Sequence, residues 1–371
     1  MGFIERRKKV FEWMHQEGID LVMFEDCEAR RDQAVRYLCG QPGDALLFLS
    51  AGEKTLLMPW DIYMAQRHAK VDMLLEYSMY QLNPIKACIE AARLLEISPT
   101  GKIEIPACTS YPDFLKYVDT KSDYDFICRE SGAAKLIETM RSIKDDDEIK
   151  LYRELSELTN HLIVFLEKAV SDGNLKTEDD VAIFIEKTCR RLGCEGTGFT
   201  TLAAGSDRSF GIHAFPPYTN GSFADKGLSI LDFGIVLNGY TSDVTMTFTR
   251  GVLSKKQTEQ LDLVKEAFDI AFSKSAEGVS CMKIAAAVDA FFKKHKVFMP
   301  HGLGHGIGLQ AHEAPYLRNR EQCDTPLETG MIFTIEPGLY DPVCGGCRLE
   351  NDILLTENGA EVLTKSKIVM L

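Results

Sequence analysis

No stretch of this sequence reaches the roughly 18 consecutive apolar residues that a bilayer crossing needs, so no membrane span is expected. No apolar run follows the early charges Arg6-Arg7-Lys8-Lys9, which argues against a secretory signal. Myristoylation of Gly2 is equally disfavoured, because Arg6 stands where Ser or Thr is wanted. Positive charge is in deficit: 42 Lys and Arg against 55 Asp and Glu leave a net −13, and a duplex polyanion is repelled on average. Nucleic acid and membrane are therefore not expected partners. A disulfide framework is missing too, since the 11 cysteines are odd in number and scattered, which reads as reduced thiols in a cytoplasmic protein. There is no low-complexity segment and no short repeat. A composition of 45% apolar and 26% charged residues is that of an ordinary globular chain.

What is present suggests two domains, since 371 residues is more than one domain's worth at roughly 150 residues each. The first part alternates helical and strand-like stretches: an amphipathic segment 3–16, apolar runs at 20–24, 45–49 and 55–59, a helical 84–95, and short strands near 102–105 and 124–128. That is an α/β pattern. A long helical signal from 131 to 170 is interrupted by Lys144-Asp145-Asp146-Asp147-Glu148, where the acids can cap a new helix and complement its dipole. The boundary is placed near residue 133, at the start of that helical signal, giving domains 1–133 and 134–371. Helices are expected at 177–193, 254–275 and 280–296, with strands and glycines filling the last third.

Four segments carry chemistry. In Asp232-Phe233-Gly234 through Asn238-Gly239 to Ser242-Asp243-Val244-Thr245, Asn-Gly between apolar runs is a strong hairpin signal. With that turn, Asp232 faces Thr245 and Asp243 faces Gly234, so Asp232 and Asp243 share one face as diagonal neighbours. Two acids so close repel unless protons or cations offset them. In His301-Gly302-Leu303-Gly304-His305-Gly306-Ile307-Gly308-Leu309-Gln310-Ala311-His312, three histidines crowd among glycines that let backbone approach a ligand. Ile335-Glu336-Pro337-Gly338 ends an apolar strand on a carboxylate, and alternation puts Arg348, Glu350 and Asp352 on one face. Taken singly, each acid reads as an ordinary solvated residue. Cys344-Gly345-Gly346-Cys347 is a lone Cys-x-x-Cys, a weak redox or zinc signal whose plainer reading is a turn with two thiols.

Together these segments resemble the pita-bread metallopeptidases, the family of Xaa-Pro aminopeptidase, prolidase and methionine aminopeptidase with the metal-free relative creatinase. The resemblance spans the C-terminal part from about residue 134, and Val35-Arg36-Tyr37-Leu38-Cys39-Gly40 is similar to a stretch of the creatinase-type accessory domain. It implies an α/β N-terminal domain followed by an α+β pita-bread catalytic domain. It also implies two divalent cations: Asp232 on one, Asp243 and Glu350 bridging, His305 and Glu336 on the other. A hydroxide shared between the cations would attack the amide, with Glu336 shuttling the proton, His312 stabilising the oxyanion, and His301 and His213 positioning the substrate. Oxygen-rich ligation suits Mn²⁺, with Co²⁺ or Zn²⁺ as alternatives. The substrates implied are small peptides with proline second, and a homodimer is expected.

Arg348 is either an orienting partner of the metal carboxylates or part of a substrate-carboxylate site. A further arginine reading the free C-terminus, Arg318 or Arg320, would favour a dipeptidase, so aminopeptidase and dipeptidase both stay open. Two departures from the family pattern, Met246 and Asn351, fall on far faces of their strands and remove no ligand. Hydrolysis of another small C–N bond on the same scaffold, and a catalytically silent binding homologue, are the remaining readings.

Overall fold

Tertiary contacts in the computed structural model, which describes residues 2–120 and 122–371, divide at Met140/Arg141, inside the helix Ala133–Ser142. Among the described residues, no helix is long and apolar enough to cross a membrane.

The N-terminal unit is built on a six-stranded sheet in the order Met73–Leu74, Thr55–Pro59, Ala45–Ser50, Leu21–Asp26, Lys102–Glu104, Asp125–Ile127. Leu21–Asp26 pairs antiparallel with Ala45–Ser50 and parallel with Lys102–Glu104, so the sheet is mixed. Ala45-Leu46-Leu47-Phe48-Leu49 reads as a continuous apolar run because every one of its residues is buried, as in a strand covered on both faces. The helix Pro84–Leu94 presses Ala87, Cys88 and Ala91 into the core with Met23, Phe48 and Ile103. It starts where Asn83 accepts hydrogen bonds from the N–H groups of Ile85 and Lys86, with proline in the first turn.

In the second unit the acidic run does what its composition suggests. Asp145 and Glu148 form a reciprocal capping box that opens the helix Asp146–Ser171. Two sheets follow. One has the order Ile368–Met370, Val244–Arg250, Gly227–Phe233, Leu202–Ala204; the other runs Glu313–Leu317, Gly304–Gly306, Ile332–Ile335, Asn351–Thr356, Gly359–Val362. Helices Lys255–Lys274 and Cys281–Lys294 bury Val264, Phe268, Val288 and Phe292 against Phe333, Ile335, Leu339 and Ile353. An α/β unit is thus followed by an α+β unit, the fold class expected.

Candidate active site

Asn238 and Gly239 both take positive φ, 49° and 86°, as a tight hairpin turn demands. Leu237 then pairs with Tyr240 and Asp232 with Thr245, the register the turn implies. Asp243 sits between the paired stretches Tyr240–Thr241 and Val244–Arg250, outside the regular ladder. Its backbone N–H points instead at the buried carboxylate of Asp352, 3.3 Å away.

The histidine segment becomes a short strand, Gly304–Gly306, with a bulge after His305. A Cβ on Gly304 would lie 2.0 Å from the Thr334 carbonyl oxygen, and one on Gly306 2.0 Å from that of Ala314, so only glycine lets this strand reach its neighbours. His305 Nδ1 is 3.1 Å from the Gly306 carbonyl, which fixes the ring proton there and leaves the Nε2 lone pair free. Nε2 lies 3.7 Å from Asp243 Oδ2 and 3.7 Å from Glu336 Oε1. Asp243, His305 and Glu350 each offer a ligand atom, and these atoms all lie within 4.8 Å of one another. Glu350 is positioned through an isolated bridge to Thr245, whose hydroxyl donates to Glu350 Oε2 at 2.7 Å.

All nine side chains singled out from the sequence, Asp232, Asp243, His305, Glu336, Glu350, His301, His312, His213 and Arg348, line one cavity of about 400 Å³. Its other wall is apolar, with Phe199, Leu202, Ile212 and Phe215. Burial followed by the charge of Glu350 holds the Asp243 carboxyl far above its ordinary range, and the same two causes raise Glu336. Glu350 is pushed up to about 7 by burial and then by Asp232. Burial lowers His305 to about 3 and His301 to about 4, and lowers His312 as well, so these rings are neutral at pH 7. Mutually repelling buried acids beside a neutral imidazole with a free lone pair make an anion-rich cage with a soft nitrogen donor. Asp232 Oδ1, buried and without a hydrogen-bond partner, adds an open acceptor. Such a donor set fits divalent cations.

Of the two roles considered for Arg348, the geometry favours orientation. The side chain is buried; Nη2 pairs with Asp232 Oδ2 at 2.6 Å, Nε donates to Thr245 Oγ1, and Nη1 donates to the Ile212 carbonyl and the Tyr340 hydroxyl. These donors are committed to the protein, and Arg348 still lines the cavity. Tyr340, which sequence reasoning passed over, also lies 2.9 Å from His301 Nε2, while His301 Nδ1 lies 2.8 Å from the Gly302 carbonyl. Both ring nitrogens of His301 are therefore held. The signal available was a tyrosine four residues after Glu336, which in an apolar strand reads as packing.

His312 stands at the rim, its ring 4.2 Å from that of His305. Its neighbour Glu313 is buried and accepts hydrogen bonds from Arg141 and from the Gln310 backbone, anchoring the loop that carries His312. His213 lies on an exposed loop facing the same cavity. Met246 is fully buried behind the sheet, and Asn351 accepts from the Ser366 N–H at 2.7 Å, so both departures serve packing. Cys344 lies in a hairpin turn and Cys347 is buried in the following strand; all 11 cysteines are free.

Comparison with known proteins places the chain in a family. An Xaa-Pro dipeptidase of Pyrococcus horikoshii is 30% identical over 98% of this chain and 97% of its own length. A Pyrococcus furiosus protein of the same name is 28% identical, covering 98% of both. Among solved structures, an X-Pro aminopeptidase from Thermotoga maritima superposes with a TM-score of 0.84 at 25% identity, covering 98% of this chain and 99% of that one. The prolidase from Pyrococcus horikoshii gives 0.83 at 26%, covering 98% of each. With residues 150–357 matching that family's description, this chain belongs to metallopeptidase family M24 and is a metal-dependent peptide hydrolase with the pita-bread catalytic fold.

Proposed function

We propose that this protein hydrolyses the amide bond between an N-terminal residue and a following proline, with two divalent cations held by Asp232, Asp243, His305, Glu336 and Glu350. The observation that carries the reading is the convergence of four carboxylates and one imidazole on a single cavity. Near full-length similarity to proteins named for Xaa-Pro cleavage supports the substrate. Cations bound there would supply Lewis-acid activation of water and of the scissile carbonyl.

The chain's own groups do the rest. Glu336, within 3.7 Å of His305 Nε2, would take a proton from the attacking water and pass it to the leaving nitrogen once bound cations offset the burial that raises it and hold it as a carboxylate. His312, which lines the same cavity, would stabilise the developing oxyanion. His213 and His301 flank the substrate, and Arg348 fixes Asp232. The apolar wall excludes water and receives the proline ring or the N-terminal side chain.

Mn²⁺ suits a set of four oxygen-donor residues and one nitrogen; Co²⁺ and Zn²⁺ would also be accepted. Eleven free thiols suit a reducing compartment, and we place the protein in the cytoplasm. A second copy of the chain is the partner that the exposed Trp60, Tyr63 and Met64 of the N-terminal unit would serve, making a homodimer. Light scattering of the purified protein tests that state. The substrate reading is tested by supplying the metal-loaded protein with a panel of Xaa-Pro and Xaa-Ala peptides: cleavage confined to the first set is expected, and inactivity on all Xaa-Pro members with metal bound contradicts it.

A further inference from the structure

Strands Ile332–Ile335 and Asn351–Thr356 pair in antiparallel register, and they set one polar pair across the ladder: Thr334 opposite Asp352, both fully buried. Alternation sends Phe333, Ile335 and Ile353 into the core under the helices and turns Thr334 and Asp352 to the opposite face. The ladder ends one pair further on, at Ile335 and Asn351, and the next residues of the two strands are Glu336 and Glu350. The polar pair is thus one step inward from two of the carboxylates assigned to the cations. Each member also holds the main chain of a further ligand residue. The Thr334 hydroxyl accepts from the His305 N–H at 3.3 Å, just before the bulge that follows His305. By hydrogen bonding it also joins Thr245 in favouring the charged form of Glu350. Asp352 Oδ2 accepts from the Asp243 N–H at 3.3 Å, where Asp243 lies between paired stretches. A buried N–H needs an acceptor, and at both irregular places a side chain of the same cross-strand pair supplies it. Asp352 is itself fixed by its N–H, which donates to Thr364 Oγ1 at 2.8 Å. Its Oδ1 is buried and, among the described residues, has no hydrogen-bond partner. A half-satisfied buried carboxyl costs stability, so packing alone would favour an apolar residue at this place in the strand.

We infer that Thr334 and Asp352 are positioning residues of the metal centre: they fix the main chain at His305 and Asp243, and with it the spacing of the ligands around the two cations. The inference rests on the cation reading proposed above. Neither side chain is assigned a bond to a cation; each acts through a ligand residue, as the partners that orient metal ligands do. Because the two face each other across one ladder, they tie His305, Asp243 and Glu350, which come from separate segments, to a single rigid place in the sheet.

The test titrates Mn²⁺ by calorimetry into chelator-stripped wild type, Thr334→Val, Thr334→Ser, Asp352→Leu and Asp352→Asn. The electron paramagnetic resonance spectrum of each loaded form then reports, through the spin coupling, the spacing of the two Mn²⁺ ions. Val and Leu remove the acceptor at similar volume, whereas Ser and Asn keep one. Thr334→Val and Asp352→Leu are expected to lose about 10- to 100-fold in Mn²⁺ affinity, the usual cost of removing a partner that orients metal ligands. Their spin coupling should change as well, and Ser and Asn should recover most of both. Wild-type affinity and coupling in the Val and Leu variants overturn the inference, as does a loss that neither Ser nor Asn recovers, which is a packing effect alone. Valine is β-branched like threonine and suits a strand, so Thr334→Val decides the inference if Asp352→Leu does not fold. If wild type takes up no Mn²⁺, the cation reading falls and this inference with it; if wild type and all variants bind the same coupled pair, only this inference falls.

Discussion

Glu336 lies beside two of the three histidines of the glycine-rich segment, 3.7 Å from His305 Nε2 and 3.8 Å from His301 Nδ1. Its double assignment, cation ligand and proton carrier, makes Glu336→Gln informative. Removing a general acid–base group costs about 10²- to 10⁴-fold in kcat, and the amide oxygen can still ligate, so metal analysis should show bound cation alongside the lost turnover. Retained kcat would put the proton transfer elsewhere. The titration of the cage gives a second prediction. Glu350 is raised to about 7 by burial and by Asp232, so the metal-free folded state binds its proton more tightly than the unfolded chain does. That contribution is complete below about 4.5 and is lost as pH rises through about 7. His301 and His305 act oppositely, but only below their unfolded pKa of about 6.5, above which they are neutral in both states. Between pH 6.5 and 8, therefore, the Tm of chelator-treated protein should fall, and Mn²⁺ should flatten the slope by offsetting the carboxylates. A metal-free Tm that is flat or rising in that window would show the acids are not mutually strained.

Among elements, the loop from Gly306 to Glu313 depends on one buried carboxylate. Glu313 pairs with Arg141 and lies 4.0 Å from the buried Lys144 ammonium. Glu313→Ala leaves the Arg141 guanidinium without its carboxylate partner, and breaking a buried pair in this way costs about 3–5 kcal/mol; urea denaturation should show the loss, with kcat falling as His312 loses its anchor. A change under about 1 kcal/mol would mean that solvent replaces the carboxylate without penalty. This anchor was invisible in the sequence because Arg141 and Glu313 are 172 positions apart. What could be read were the local signals. Asn238-Gly239 fixed the hairpin and with it the pairing of Asp232 with Thr245, and Asp145 with Glu148 announced a helix start. Metal-ligand candidates were legible through their motifs. Tyr340 was not, because a tyrosine in an apolar strand carries no mark of the hydroxyl contacts to His301 and Arg348 that only folding creates. Arg348 showed its face by alternation but not its four protein partners, which lie far apart in the chain.

At the scale of the whole molecule, a net charge of −13 is spread over the chain, and one small part of it has a defined place. Asp232, Asp243, Glu336 and Glu350 gather four carboxyl groups in a cavity of about 400 Å³, where two divalent cations would favour their charged forms and offset that charge. Binding that favours the folded chain must also stabilise it, by about 2.7 kcal/mol at a hundredfold excess over Kd. Chelation should therefore lower the unfolding temperature together with activity. The central claim, a metal-dependent Xaa-Pro hydrolase, is tested most directly by titrating chelator-stripped protein with Mn²⁺ while following hydrolysis of an Xaa-Pro dipeptide and of its Xaa-Ala counterpart. The account predicts no turnover without metal, recovery that saturates as two cations bind per chain, and a strong preference for proline. Turnover by the stripped protein, or two bound cations with no cleavage of the Xaa-Pro substrate, would contradict it.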